Sequence, residues 1–122
     1  MSATSRSLLE VHASGPVTHA TFTAARLDES NLYELGQELA GLVERPGQLE
    51  LHLDFRAVEA LSSAVLGKLV RLHQRVGKAG GRLVLLQLSP FLRDLFHLTR
   101  LDSILDVRAA APDERGSARA SA

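Results

Sequence analysis

Residues 49–72 read LELHLDFRAVEALSSAVLGKLVRL. Leu49, Leu51 and Leu53 alternate with Glu50, His52 and Asp54, the period-two pattern of a strand with one buried face, and the spacing predicts a strand over 48–55. A turn follows. From Ser63 the period changes: Val65, Leu69, Leu72 and Val76 recur at helical spacing, widened by Leu66 and Val70. Lys68, Arg71, Gln74, Arg75 and Lys78 fall on the opposite, wet face. The helix spans 63–78 and stops at Ala79-Gly80-Gly81. The pair Ser62-Ser63 therefore stands at a helix start just past a strand end, where a hydroxyl can cap the helix. A phosphate there would bring a charge of about −1.5 to −2 to the positive end of the helix dipole, which tolerates it.

Working outward, Arg82 to Leu88 (RLVLLQL) is almost wholly apolar, as a strand covered on both faces would be. Strand 48–55, helix 63–78 and strand 82–88 make one βαβ unit with a right-handed crossover. Ser89-Pro90 opens a third helix bearing Phe91, Leu92, Leu95 and Phe96. A connector over 98–103 leads to a last strand at Ile104 to Val107. On the N-terminal side, residues 8–13 and 17–24 flank the turn Ser14-Gly15-Pro16 and read as a hairpin. In its second arm Thr18, Ala20, Phe22 and Ala24 face one way. Residues 28–45 read as a helix with Leu32, Leu35, Leu39 and Leu42 as its stripe. Asp28 or Ser30 is its expected cap, and Pro46-Gly47 its stop. The order is β-β-α-β-α-β-α-β: an α/β fold with a mixed central sheet and helices packed on it. The expected domain runs over 7–108, between a flexible N-terminus at 1–6 and a disordered tail at 109–122 that lacks bulky apolar residues.

The chain has 122 residues, enough for one core. Lys plus Arg is 14 and Asp plus Glu is 14, so no broad basic surface for nucleic acid or an anionic membrane is expected. Cysteine is absent, which excludes disulfides and thiolate metal sites. No apolar run reaches the ~20 residues of a membrane span, and the N-terminus lacks a signal peptide's apolar core. The expectation is a cytoplasmic protein.

Enzyme chemistry finds little footing. His12, His19, His52, His73 and His97 are never spaced i, i+4, and no carboxylate cluster accompanies them, so no metal site is expected. Ser63, a histidine and Asp54 or Asp28 could be drawn as a triad, yet there is no G-x-S-x-G elbow. GKAGG at 77–81 ends a helix, whereas a P-loop opens one. The expectation is no cofactor and no enzyme activity.

The stretch from Val58 to Val107 resembles a STAS domain of the bacterial anti-sigma factor antagonist type. The matching residues are Val58, Leu61, Ser63, Leu66, Gly67 and Leu69, then Ala79-Gly80-Gly81, Leu83 and Leu85, then Leu98, Thr99, Leu101 and Asp102. Upstream, Arg26-Leu27-Asp28 with Glu34-Leu35 is similar to the family's loop before its first helix. The resemblance implies a switch module that binds an anti-sigma factor of the ATP-dependent serine kinase type. The kinase phosphorylates the motif serine, the phosphorylated form lets go, and a phosphatase resets it. The motif serine is Ser63. Where the family has Asp and Gly, this chain has Ser62 and Val65, and Ser62 is the alternative acceptor. The implied partner-binding surface comprises Asp28, Asp54, Ser62, Ser63, Val65 and Leu66, on a monomer or weak homo-oligomer. The alternative is a constitutive STAS scaffold subunit of a larger signalling assembly, without a phospho-cycle.

Overall fold

The computed structural model describes residues 7–44 and 50–109. β1 (Leu9–Ser14) and β2 (Val17–Phe22) form the expected hairpin, antiparallel, with Leu9 opposite Phe22 and Ser14 opposite Val17. Gly15 makes the turn at φ +61°, which a glycine adopts without steric cost. β2 then pairs in parallel with β4 (Glu50–Asp54), β4 with β6 (Arg82–Leu88), and β6 with β7 (Asp106–Ala109). The sheet is thus mixed, ordered β1-β2-β4-β6-β7. The proposed βαβ unit is present, with β4 and β6 adjacent and α2 (Ser63–Lys78) between them in sequence.

Two further strands, β3 (Arg26–Leu27) and β5 (Ala60–Leu61), pair in parallel as a separate two-residue ribbon. They were not expected, because two residues are too few to display a period.

One face of the sheet supplies Leu9, Ala20, Phe22, Leu51, Leu53, Leu83 and Leu85 to a single core. α1 (Leu32–Val43) adds Leu35, Leu39 and Leu42, and α2 adds Val65, Leu66, Leu69, Leu72 and Val76. α3 (Pro90–Leu98) adds Leu92 and Phe96. The Phe22 and Phe55 rings meet at 4.7 Å between centroids, tilted by 52°, a geometry aromatic pairs favour. The opposite face puts His12, His19 and His52 in register across β1, β2 and β4. Among the described residues no group of three ligand-type side chains is placed to hold a metal ion. No described helix is long and apolar enough to cross a membrane.

α2 begins and ends where its sequence signals lie. The Ser62 side chain accepts the Val65 amide at the start. At the end the Gly81 amide donates to the Val76 carbonyl at 2.8 Å and Gly80 to Gly77 at 3.0 Å. With Gly80 at φ +84° this is a Schellman stop. Ser89 caps α3 through the Leu92 amide, with Pro90 at its first position.

α1 starts at Leu32 rather than 28. The groups that would have capped it are engaged within the preceding loop. Asp28 Oδ1 accepts the Ser30 amide and hydroxyl, and Asn31 Oδ1 accepts the Asp28 amide. Asn31 takes the capping position without a side-chain cap. The last strand starts at Asp106 rather than 104. Leu101–Ser103 forms a 3-10 turn whose Leu101 carbonyl accepts the amides of Ile104 and Leu105, so those two residues finish the turn. Ala109, expected in the tail, pairs with Leu88 as the end of β7. The expected stop at Pro46-Gly47, the first residues of strand 48–55, the terminus at 1–6 and the tail beyond 109 lie outside the described residues.

Candidate functional site

The β3–β5 ribbon sits where β4 ends and α2 begins. After Asp54 the chain turns at once: the Phe55 amide donates to the Leu86 carbonyl, and Val58 to Phe55, both at 2.9 Å. Val58 is buried and anchors the turn. Glu59 and Ala60 then donate to the Ala25 carbonyl and Ser62 to the Leu27 carbonyl, at 2.7, 3.2 and 3.0 Å. This ladder brings the Arg26-Leu27-Asp28 loop against the start of α2. The two segments enclose a cleft of about 230 Å³ lined by Arg26, Leu27, Asp28, Glu29, Ala60, Leu61 and Ser62.

The two serines have different environments. Ser62 is half-buried with extended backbone, and its hydroxyl accepts the Val65 amide at 3.3 Å. Such a cap is worth about 0.5–2 kcal/mol against alanine. Ser63, one residue on, is exposed at the first position of α2. Its hydroxyl makes no hydrogen bond among the described residues. An anion placed there would meet the positive end of a 16-residue helix that has no acidic residue in its first turn.

Asp28 borders the cleft. The Ser30 hydroxyl and amide, with a smaller contribution from Arg26 at 3.7 Å, hold its carboxyl below the ordinary carboxylate value despite some desolvation. It is therefore a fixed negative charge beside Ser62 at neutral pH.

Asp54, expected at the rim of this surface, is 1% exposed. Burial alone would push its carboxyl up. The Arg56 guanidinium at 2.8 Å and the Arg56 amide at 2.9 Å outweigh that, with His19 Nε2 at 3.4 Å adding to them, and hold it below the usual range. Its role is to fix the strand-to-turn corner, and it offers no carboxylate to a partner. Val65 and Leu66 are likewise turned into the core, at 0% and 7% exposure, because they continue the helix stripe with Leu69. Of the expected site residues, Asp28 and Ser62 line the cleft, and the exposed Ser63 directly follows Ser62.

Arg26 and Glu29, which line the same cleft, were not expected there. The signal that could have pointed to them is the pair of isolated leucines, Leu27 and Leu61, each amid polar or small neighbours and each needing a burial partner.

Comparison with known proteins follows this geometry. The family model described as "Mlab, STAS domain" matches residues 23–106. Against curated protein sequences the chain has no significant match. Among solved structures it is similar to an anti-sigma-factor antagonist (STAS) domain protein from Planctomyces limnophilus. That pair has a TM-score of 0.75 at 20% identity, covering 83% of this chain and 89% of the other. It is similar to an anti-sigma factor antagonist from Mycobacterium paratuberculosis, with a TM-score of 0.74 at 24% identity over 91% and 92% of the two chains. It is also similar to the Bacillus cell fate determinant SpoIIAA in its phosphorylated form, with a TM-score of 0.63 at 15% identity over 92% and 98%. At these identities the likeness is one of fold.

Proposed function

The chain belongs to the STAS-domain family, and we propose that it works as an anti-sigma factor antagonist: a protein-binding module, not an enzyme, switched by phosphorylation of Ser63. Its partner on this reading is an anti-sigma factor of the serine kinase type, and a phosphatase restores the unmodified form. The observation that carries the reading is the division of labour between the serines. Ser62 holds the helix cap, which leaves the neighbouring exposed hydroxyl of Ser63 available to a kinase without loss of the cap.

Both departures from the family motif are compatible with this reading. Ser62 stands where the family has Asp, and it fills the N-cap as an Asp would. Val65 stands where the family has Gly, and its side chain is wholly buried, so it does not crowd a kinase approaching Ser63. The existence of SpoIIAA in a phosphorylated form supports a phospho-cycle on this fold. A dianionic group on Ser63 would stand one residue beyond Ser62, which lines the cleft together with Asp28 and Glu29. It would make that surface more negative and repel a partner that packs closely on it.

The test is incubation of the full chain with ATP and the serine-kinase anti-sigma factor encoded in the same genome, followed by intact-mass and tandem mass spectrometry. The reading expects one phosphate, on Ser63, absent in Ser63→Ala and retained in Ser62→Ala. A phosphate on neither serine overturns it.

A further inference from the structure

The sixteen residues of α2 contain Lys68, Arg71, Arg75 and Lys78 and not one Asp or Glu. Their spacing of three, four and three places them along one stripe of the helix. Among the described residues several charges elsewhere are paired, such as Asp54 with Arg56, and Asp106 with both Arg82 and Arg108. Along this stripe the single ion pair among the described residues is Arg75 with Glu44, at 4.0 Å. Three of the cations line a groove of about 110 Å³ between α1 and α2, with Gly36, Leu39, Ala40 and Leu72 as its other walls. Residue 36 has no side chain, and Lys68 uses the space. A Cβ there would come within 2.9 Å of Lys68 Nζ, so the lysine lies across the glycine with its ammonium at the groove's edge. The groove has room for about one branched aliphatic side chain.

We propose that this groove is a docking site for an acidic amphipathic helix of a partner protein. An apolar side chain of that helix enters the groove beside Ala40, and its carboxylates meet Lys68, Arg71 and Arg75. The outer two cations, Lys68 and Arg75, are seven positions apart, about 10 Å along the axis, so the matching segment carries Asp or Glu over two helical turns. Charge complementarity names the partner's chemistry. A polyanion is disfavoured, because the stripe is one helix wide, Glu44 stands exposed at its end, and the chain has no net charge. Duplex nucleic acid and anionic bilayers call for a broad basic surface. The proposal rests on the reading above in taking the occupant to be a protein. α2 presents Ser63 at one end and the cationic stripe farther along, so one partner can span both.

The experiment is a titration of the isotope-labelled full chain, followed by amide chemical shifts. The probe is a synthetic helical peptide with glutamates over two turns flanking a leucine. Parallel titrations use its glutamine counterpart, phosphatidylglycerol vesicles and duplex DNA. The proposal expects shifts confined to residues 36–40 and 68–75, weakened at high salt, absent with the glutamine peptide, and at least about tenfold weaker with Lys68→Glu/Arg71→Glu. Gly36→Ala, which displaces Lys68 without touching the core, weakens binding while the spectrum elsewhere is unchanged. Absence of shifts at millimolar peptide, shifts elsewhere, or equal response to vesicles or DNA overturns the proposal. No kinase takes part, so failure here leaves the Ser63 switch standing, and failure of the switch leaves this result standing.

Discussion

The amide of Ser62 donates to the carbonyl of Leu27 at 3.0 Å, and this bond fastens the loop before α1 to the start of α2. The two segments are 35 residues apart, yet they form one surface. Everything proposed for that surface depends on Ser62 being held in place, because its side chain caps α2 and its backbone closes the β3–β5 ribbon.

Replacement of the two serines should separate their roles. Ser62→Ala loses the N-cap and should lower stability by about 0.5–2 kcal/mol in urea denaturation. Ser63→Ala removes an exposed hydroxyl that has no hydrogen-bond partner among the described residues, and it should change stability by less than about 0.5 kcal/mol. Equal losses for the two variants would contradict the assignment of the cap.

Asp54 should govern part of the acid stability. Its carboxyl is held below its ordinary value in the folded state. The stabilisation is therefore fully present above the unfolded-state pKa of about 3.9 and is lost as pH falls through the lower folded value. Asp54→Asn should cost about 1–3 kcal/mol at neutral pH, since it weakens the acceptor of the Arg56 amide at a buried corner. Its stability should also fall less steeply between neutral pH and the acid range than that of the unaltered protein. Urea titrations at a series of pH values would show both, and parallel pH profiles for the two proteins would rule out this role.

Much of the fold was legible because it is written in long periodic elements. α2 and β6 have the boundaries their patterns indicate, since each is bounded by strong signals: a serine cap and a Gly-Gly stop for α2, and a serine cap directly after β6. The ribbon that joins the loop before α1 to the start of α2 was not legible. Arg26–Leu27 and Ala60–Leu61 are too short to show a period, and their pairing is set by tertiary placement. Alternation put Asp54 on the wet face of β4, but a carboxylate can be buried when an arginine two residues later turns back onto it. Val65 and Leu66 follow Ser63 by two and three residues, yet Val65 falls on the opposite side of the helix and Leu66 is covered by the core. Asp28 was read as a helix cap and not as a loop residue, because its preference for capping is met by Ser30 rather than by a helix.

Gly36→Ala should stabilise the protein. Glycine in a helix interior costs about 0.8–1 kcal/mol against alanine, and the new methyl meets only the end of a flexible lysine. A rise in urea midpoint without change in slope is expected. A fall would mean that Lys68 is held in place by more than contact with the glycine.

Arg100 holds φ +62° just beyond α3, a position where glycine is the usual occupant. Arg100→Gly relieves that strain while adding unfolded-state freedom. It should leave stability within about 1 kcal/mol of the parent or raise it. A larger loss in thermal denaturation would indicate that the arginine side chain braces the turn.

The central claim is that a negative charge at Ser63 releases the partner while the domain stays folded. The most direct measurement is calorimetric titration of the serine-kinase anti-sigma factor with the unaltered chain, Ser63→Asp and Ser63→Ala. The account predicts that Ser63→Asp binds at least about tenfold more weakly, a difference of about 1.4 kcal/mol, with the urea midpoint unchanged and Ser63→Ala binding normally. Equal affinity for the unaltered chain and Ser63→Asp would contradict it.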